Sequence, residues 1–70
     1  MKITAAEQRV LAELWVRAWT KWTLCAAIPM RRDVARRMLA KKLISKRAFA
    51  DGYIVATELG RRAFEIAVRD

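Results

Sequence analysis

Seventy residues are enough for one small domain, and a chain of this size buries only about 60% of the surface that it exposes when unfolded. The chain has no histidine and one cysteine, which excludes a disulfide framework, a zinc site and imidazole catalysis, so we expect no metal, no cofactor and no enzymatic activity. We expect one domain, residues 1–70. Its net charge of +8 indicates a polyanionic partner.

The first predicted element is an amphipathic helix that begins at a capping box. The Thr4 hydroxyl can accept the amide of Glu7, while the Glu7 side chain reaches back to the amide of Thr4. Apolar side chains then continue one side of the helix for about five turns. We expect the core to include these side chains: Val10, Leu11, Leu14, Trp15, Ala18 and Trp22.

The three tryptophans, Trp15, Trp19 and Trp22, allow a second interpretation. Exposed aromatic rings can stack on nucleic-acid bases and form a binding platform. Large side chains at helical spacing are more often part of the core, and a core this small needs them. We therefore expect core packing, with Trp19 the most exposed of the three.

The hydropathy of the chain does not indicate a membrane protein. No apolar run approaches the ~18 residues that are typical of a bilayer-spanning helix. Met1 and Lys2 lead into the capping box, where a signal peptide would have its apolar segment. We therefore expect a cytoplasmic protein, associated with the nucleoid or acting in a host cytoplasm, that makes no membrane contact.

A short helix and a longer basic helix are predicted next. Thr23 precedes a run of apolar and small residues, which is typical of a capped short helix, and we expect Cys25 to be a small buried hydrophobe. Pro29 ends this helix or lies in the first turn of the next one. The basic helix is therefore expected to begin between Pro29 and Asp33 and to continue to about Lys42.

Residues 31–47 concentrate the positive charge of the chain. They include eight of the fifteen basic residues and one of the seven acidic residues, so their net charge is +7 of the total +8. The basic helix in this segment has an apolar stripe of Val34, Ala35, Met38 and Leu39. The opposite side carries Asp33, Arg36, Arg37 and Ala40, with Arg32 and Lys41 on the flanks.

Two interpretations of this cationic side are open. Basic residues can simply solvate a helix, but solvated sides usually mix charge signs at i,i+4 spacing. Repulsive i,i+4 pairs cost ~0.2–0.5 kcal/mol each and favour a counter-charge on a partner. Such pairs are Arg32 with Arg36, Arg37 with Lys41 and Lys42 with Lys46. The candidate residues for binding nucleic acid or an acidic partner are Arg31, Arg32, Arg36, Arg37, Lys41, Lys46 and Arg47.

A β-hairpin and a last helix complete the predicted elements. Asp51-Gly52 lies between runs with β-branched and aromatic residues, which is a strong signal for a hairpin with a type I′ turn. We expect this hairpin between Leu43 and Thr57. Thr57 and Glu58 then cap a helix whose core side is expected to hold Leu59, Ala63, Phe64, Ala67 and Val68.

Three segments, in this order and at this spacing, carry a resemblance to a known fold: ITAAEQRVL at 3–11, VARRMLAKKLI at 34–44 and YIVATELG at 53–60. The chain resembles a winged helix-turn-helix domain, similar to the core of MarR-type and PadR-type regulators. The resemblance implies a mainly helical α+β fold in the order helix, helix, helix, β-hairpin, helix. It also implies that the basic helix enters a major groove, with Arg32, Arg36 and Arg37 on bases or phosphates and Lys41, Lys46 and Arg47 on phosphates.

The chain departs from that family at three places. The family often has glycine before the Leu-Ile pair, where this chain has Lys42, so we expect the basic helix to end differently. The tip of the wing is shortened to Ala50-Asp51-Gly52. The long terminal helices through which the family dimerises have no counterpart in the sequence.

Two functions follow from these observations. The first is selective binding of double-stranded DNA by a transcription regulator of phage or mobile-element type. The second is binding of an acidic protein or a nucleoprotein complex through the same basic side, as in anti-CRISPR-like inhibitors encoded by phages. A homodimer is compatible with both functions, and the composition, rich in alanine and arginine, suits a high-GC genome.

Overall fold

The computed structural model describes residues 2–19 and 23–69, which form a mainly helical fold with a small antiparallel sheet. The helices are α1 (Ala5–Val16), α2 (Arg32–Ala40), α3 (Lys46–Ala50) and α4 (Glu58–Arg69). The strands are β1 (Thr23–Leu24) and β2 (Tyr53–Ile54), and a 3-10 helix, Cys25–Ala27, follows β1. The prediction of a mainly helical α+β chain is therefore confirmed, while the order of the elements differs from the prediction both before and after α2.

Helix α1 begins as predicted but is shorter than predicted. The amide of Glu7 donates to Thr4 Oγ1 at 3.2 Å, and the amide of Thr4 donates to Glu7 Oε1 at 2.7 Å, which confirms the capping box. The helix stops at Val16 because Ala18 and Trp19 adopt left-handed backbone conformations, with φ of 56° and 57°. The expectation of five turns is therefore wrong, and Trp22 lies outside the described residues.

The early end of α1 changes the roles of two tryptophans. Trp19 turns back over the core, since its amide donates to the carbonyl of Leu14 at 2.9 Å and its ring meets Phe64 edge-on at 5.9 Å. Trp15 lies on the flank of α1 beside the buried Leu14 and is 57% exposed. Core burial of Trp15 is thus wrong, and Trp15 is more exposed than the half-buried Trp19.

Helix α2 ends at a left-handed residue, although that residue is Lys42 with φ of 61°. The amide of Lys42 donates to the carbonyl of Leu39 at 3.1 Å, and the amide of Leu43 donates to the carbonyl of Met38 at 2.9 Å. These two hydrogen bonds form a Schellman motif, in which the left-handed residue is usually glycine. Leu43 and Met38, the two positions whose apolar contact accompanies this motif, are both fully buried. The expectation that Lys42 would end the helix differently is therefore wrong.

The predicted hairpin is replaced by helix α3 along most of its first strand. The segments that flank α3 pair at one isolated bridge, Ile44 with Ala56, where the amide of Ser45 donates to the carbonyl of Val55 at 2.8 Å. Strand β2 pairs instead with β1, with Thr23 opposite Ile54. The residues at 23–24 are consequently a strand and not the start of a helix, because backbone pairing to a distant segment satisfies their amides.

Two capping signals explain why α3 forms. The amide of Ala48 donates to Ser45 Oγ at 3.2 Å, so Ser45 caps the start of the helix. Gly52, with φ of 89°, follows its end and donates its amide to the carbonyl of Phe49 at 3.0 Å. Asp51 has a φ of −90°, so Asp51-Gly52 is a helix end and the predicted type I′ turn is wrong.

Helix α4 begins as predicted and locks onto the end of α2. The Thr57 hydroxyl accepts the amide of Gly60 at 3.0 Å and donates to the carbonyl of Lys42 at 2.6 Å. Gly60 packs so closely on the backbone of Leu43 that a Cβ at this position would overlap the Leu43 carbonyl oxygen. One threonine and one glycine therefore fix the position of α4 against the turn after α2.

The core is built from α1, α2, α4, strand β2 and the segments that follow the 3-10 helix, α2 and β2. Its buried members are Val10, Leu11, Leu14, Ile28, Val34, Met38, Leu43, Ile44, Ile54, Ala56, Ala63 and Phe64. Leu24 is exposed because strand alternation turns Thr23 inward. Leu59 and Val68, expected in the core, are exposed because the contact of Gly60 sets which side of α4 is buried. None of the described helices has the length and apolar character needed to cross a membrane.

Candidate nucleic-acid interface

The apolar stripe of α2 fixes the helix against the core. Val34, Ala35 and Met38 are buried and Leu39 is half-buried, as the sequence predicts. The predicted outer residues are all exposed: Arg32, Asp33, Arg36, Arg37 and Ala40. Arg31, at the N-cap position of α2, is exposed as well. The buried side of α2 therefore holds the backbone of the helix in place, and the exposed side chains project from that backbone.

We expect only repulsive i,i+4 pairs from the sequence of this helix, but the structure also contains an attractive pair. Arg37 Nη2 lies 3.6 Å from Asp33 Oδ2, which is an attractive i,i+4 pair between two exposed side chains. Lys42 and Lys46 do not share a helix, because α2 ends at Ala40 and α3 begins at Lys46. Among the described residues, Arg32 and Arg36 have no ion-pair partner. Of the arginines on the outer side of α2, Arg32 and Arg36 thus keep an unpaired positive charge, while Arg37 does not.

The N-terminus of α2 adds to this positive potential. The N-cap residue, Arg31, carries a side chain that can only donate hydrogen bonds, so it does not cap the first amides of the helix. The helix dipole leaves about half a positive charge there. Asp33 lies in the first turn and offsets part of this charge, but its carboxylate is engaged by Arg37.

Lys41, predicted to contact phosphate, holds α2 to the start of α1. Its Nζ lies 2.8 Å from Glu7 Oε1 and 3.4 Å from the carbonyl oxygen of Lys2. The Glu7 side chain is fully buried, and its Oε2 has no hydrogen-bond partner among the described residues. Burial alone would raise the pKa of Glu7, but the hydrogen bonds from Lys41 and the Thr4 amide and the charge of Lys41 lower that pKa below its usual value.

The buried ion pair was missed by sequence analysis. Glu7 was recognised as part of a capping box, but its burial depends on contact with a residue that is 34 positions away. Lys41 is accordingly a structural residue first, and 30% of its side chain surface remains open to solvent.

The remaining predicted residues, Lys46 and Arg47, are exposed on α3. They lie on a short helix and not on the strand of a wing. Helix α3 lies beside α2, since Phe49 shares one groove with Leu39 and Arg36. The predicted basic residues other than Lys41 are therefore exposed on two neighbouring helices.

A groove of about 690 Å³ separates these two helices from the segment after β1. Apolar side chains form its floor, and three arginines that were predicted to bind a polyanion, Arg31, Arg32 and Arg36, line its edge. Cys25 also lines the groove and is half-buried, so the prediction of a buried hydrophobe is only partly right. No motif indicates this groove, because its lining residues come from separate segments of the chain.

The chain was compared with known families, curated proteins and solved structures. No family model, curated protein or solved structure matches it. In the part of the chain that the structure describes, no three histidine, cysteine or acidic side chains are grouped as metal ligands would be. The candidate interface therefore has to be judged from its own charges and geometry.

Helix α4 carries arginines as well, but they are occupied differently. The Arg61 guanidinium lies 5.5 Å from the centre of the Trp19 ring, a distance at which a cation–π contact forms. Arg62 Nη2 lies 3.0 Å from Glu58 Oε1. Arg61 and Arg62 are thus held by their own neighbours on the described surface, whereas Arg31, Arg32 and Arg36 make no ion pair there.

Proposed function

We propose that the protein binds double-stranded DNA through an arginine face, which we define as Arg31, Arg32, Arg36 and Arg37 on α2. The observation that carries this proposal is the combination of a buried apolar side with exposed arginines on the same helix. The buried side keeps the backbone of α2 in place, so a DNA phosphate would meet guanidinium groups on a fixed helix. The net charge of +7 in residues 31–47 supports a polyanionic ligand.

The dimensions of a helix support the major groove as the site of contact. An α-helix with its side chains is about 10–12 Å across, and the major groove of B-DNA is about 12 Å wide. Arg32 and Arg36 are one turn apart and can grip guanine bidentately or hold two phosphates. Lys46 and Arg47 on α3 would add phosphate contacts, which fix the register but do not read sequence.

The proposed contact does not use a wing. The Asp51-Gly52 segment ends α3, and Asp51 is exposed there with a charge that phosphates repel. Lys41 contributes less than the sequence suggests because it is bonded to Glu7. A role in transcription regulation is supported by the resemblance to MarR-type and PadR-type domains and by the charge of α2.

The test is a fluorescence-anisotropy titration of a panel of labelled duplexes at several salt concentrations. The wild type is compared with an Arg32→Ala, Arg36→Ala double variant. A matched control, Arg62→Ala with Arg69→Ala, removes the same charge from exposed positions of α4. Circular dichroism of each variant confirms that it remains folded.

For the wild type, log K should fall linearly with log salt, with a slope of about −0.9 for each neutralised phosphate. The α2 double variant should bind more weakly, and its slope should be shallower by about 1.8 if both arginines neutralise phosphates. The α4 control should retain nearly the wild-type slope. Equal losses in the two double variants would contradict an interface on α2 and indicate attraction to net charge alone.

A further inference from the structure

The groove between α2, α3 and the 3-10 helix has a surface that duplex binding leaves unused. Its floor includes Met30, Leu39 and Phe49, which are half-buried and remain accessible from solvent. A phosphate and sugar backbone has no large apolar groups to cover such a floor. The ligand that fits it must carry apolar side chains.

The edge of the same groove is cationic. It is lined by Arg31, Arg32 and Arg36. None of the described residues that line the groove is acidic. Asp33, the acidic residue of α2, is paired with Arg37 and is not part of the lining. The three arginines at the edge therefore call for carboxylates next to the apolar groups of a ligand.

We propose that this groove binds an acidic amphipathic helix of a partner protein. Its apolar side chains, spaced at i, i+3 and i+4, would cover Leu39, Met30 and Phe49 in the way that helices dock in apolar grooves. Its carboxylates would form charge-assisted hydrogen bonds with the arginines at the edge.

The shape of the groove favours a helix over a small molecule. Small-molecule sites enclose most of the surface of their ligand, whereas this groove is partly open to solvent. A helix needs to bury only one side, and an open groove between two helices offers that contact. The acidic partner allowed by the sequence thereby has a defined place to bind.

This site shares its arginines with the arginine face. A peptide that engages Arg32 and Arg36 would compete with duplex DNA for the same guanidinium groups, so the two ligands should exclude each other. The apolar floor belongs to the groove alone. Changes to the floor therefore separate peptide binding from DNA binding.

The test uses a synthetic, fluorescein-labelled helical peptide of about ten residues, with leucine and phenylalanine anchors at i, i+3 and i+4 among glutamates. One control peptide keeps the glutamates and replaces the anchors with serine. A second keeps the anchors and replaces the glutamates with glutamine. Affinities are measured by anisotropy for wild-type protein, for Leu39→Ala, and for Leu59→Ala, which shortens an exposed leucine on α4 outside the groove.

A second readout needs no substitution. Cys25 lines the groove and is the single cysteine of the chain, so the rate of its alkylation by iodoacetamide reports how far the groove is covered. This rate is measured by mass spectrometry in the presence of each peptide, of duplex DNA, or of decanoate. Decanoate serves as a small ligand with one apolar chain and one carboxylate. A folding defect in Leu39→Ala leaves this wild-type measurement unaffected.

We expect the anchored acidic peptide to bind wild type, to slow alkylation of Cys25 and to displace duplex DNA. Leu39→Ala should weaken the peptide by about tenfold, the size of effect that lost apolar contact in a pocket produces. The same variant should bind duplex within about twofold of wild type, and Leu59→Ala should leave both ligands unchanged. If this pattern holds in a protein that binds no duplex, the groove proposal stands and the proposed function fails.

Three results would overturn the groove proposal while leaving duplex binding intact. The first is equal affinity for the anchored peptide and its serine control. The second is no protection of Cys25 by the anchored peptide. The third is protection by decanoate or duplex DNA that equals protection by the anchored peptide.

Discussion

Helices α2 and α4 are built on the same plan, and their differences define the candidate site. Both bury one side in the core, and both carry two adjacent arginines outside it, Arg36-Arg37 on α2 and Arg61-Arg62 on α4. On α4, the exposed Glu58 and Glu65 balance the arginines. On α2 the single acidic residue engages only one of them. The neighbours of an arginine pair, and not the pair itself, therefore decide whether its charge is neutralised.

The largest effect is expected where α4 acts as a packing helix. Gly60→Ala would place a Cβ against the carbonyl oxygen of Leu43, so the two backbones must separate. We expect the free energy of unfolding to fall by about 3 kcal/mol, the upper part of the range for overpacking. Urea denaturation measures this loss.

The other glycine provides the control. A Cβ at Gly52 meets no atom within 4 Å, and only its φ of 89° disfavours alanine. Gly52→Ala should cost about 1 kcal/mol. Equal costs at the two glycines would contradict the close packing of α4 on the turn after α2.

A smaller loss is expected at Lys41, the C-cap residue of α2, which forms the buried ion pair with Glu7. Lys41→Met leaves the Glu7 carboxylate buried without its partner. Breaking a fully buried pair costs about 3–5 kcal/mol, and the partial exposure of Lys41 reduces our expectation to about 2 kcal/mol. Arg37→Met, which removes an exposed ion pair, should change stability by no more than about 0.5 kcal/mol. Equal effects in a urea titration would mean that Lys41 is an ordinary surface residue.

The same pair predicts a pH dependence. The pKa of Glu7 is lowered in the folded protein, so the unfolded chain binds the proton more readily. The contribution of Glu7 should be complete above its usual pKa of 4.5 and should be lost as pH falls from there through the folded value. Urea midpoints measured across this acid range should fall less steeply for Glu7→Gln than for wild type. Parallel curves would contradict a shifted Glu7.

The smallest effect concerns the turn that ends α2. Lys42 has a φ of 61°, which is unfavourable for a residue with a Cβ, so Lys42→Gly should stabilise the protein by about 1 kcal/mol. Lys42→Ala removes the same charge but keeps the unfavourable backbone and should be nearly neutral. A thermal melt in which both variants gain equally would attribute the gain to charge and not to the backbone.

The helices with clear periodicity could be predicted from the sequence. The apolar stripe of α2 identified its buried residues and, by difference, its exposed arginines. The caps at Thr4 and Thr57 were also readable, because each threonine precedes a helical pattern. The end of α1 could not be predicted from the sequence, since alanine and tryptophan rarely adopt left-handed conformations. Ala18 and Trp19 adopt them only in the folded structure.

Other elements depend on contacts that no local pattern contains. The Asp51-Gly52 pattern favours a hairpin, but in the structure Ser45 and Gly52 cap the two ends of a helix. Two-residue strands have too little periodicity to be recognised before their pairing is known. The ion pair of Glu7 with Lys41 and the groove unite residues far apart in sequence, which is why sequence analysis found the arginine face and missed the groove beside it.

The most direct test of the arginine face is a map of duplex contacts by amide chemical-shift perturbation in ¹⁵N-labelled protein. A short duplex is titrated at moderate salt, and shifts are compared between the two arginine-bearing helices. We expect the amides of α2 and of Lys46 and Arg47 to shift, while those of α4 remain in place. Shifts concentrated on α4, or on the flank of α1 around Trp15, would contradict the assignment of DNA binding to α2.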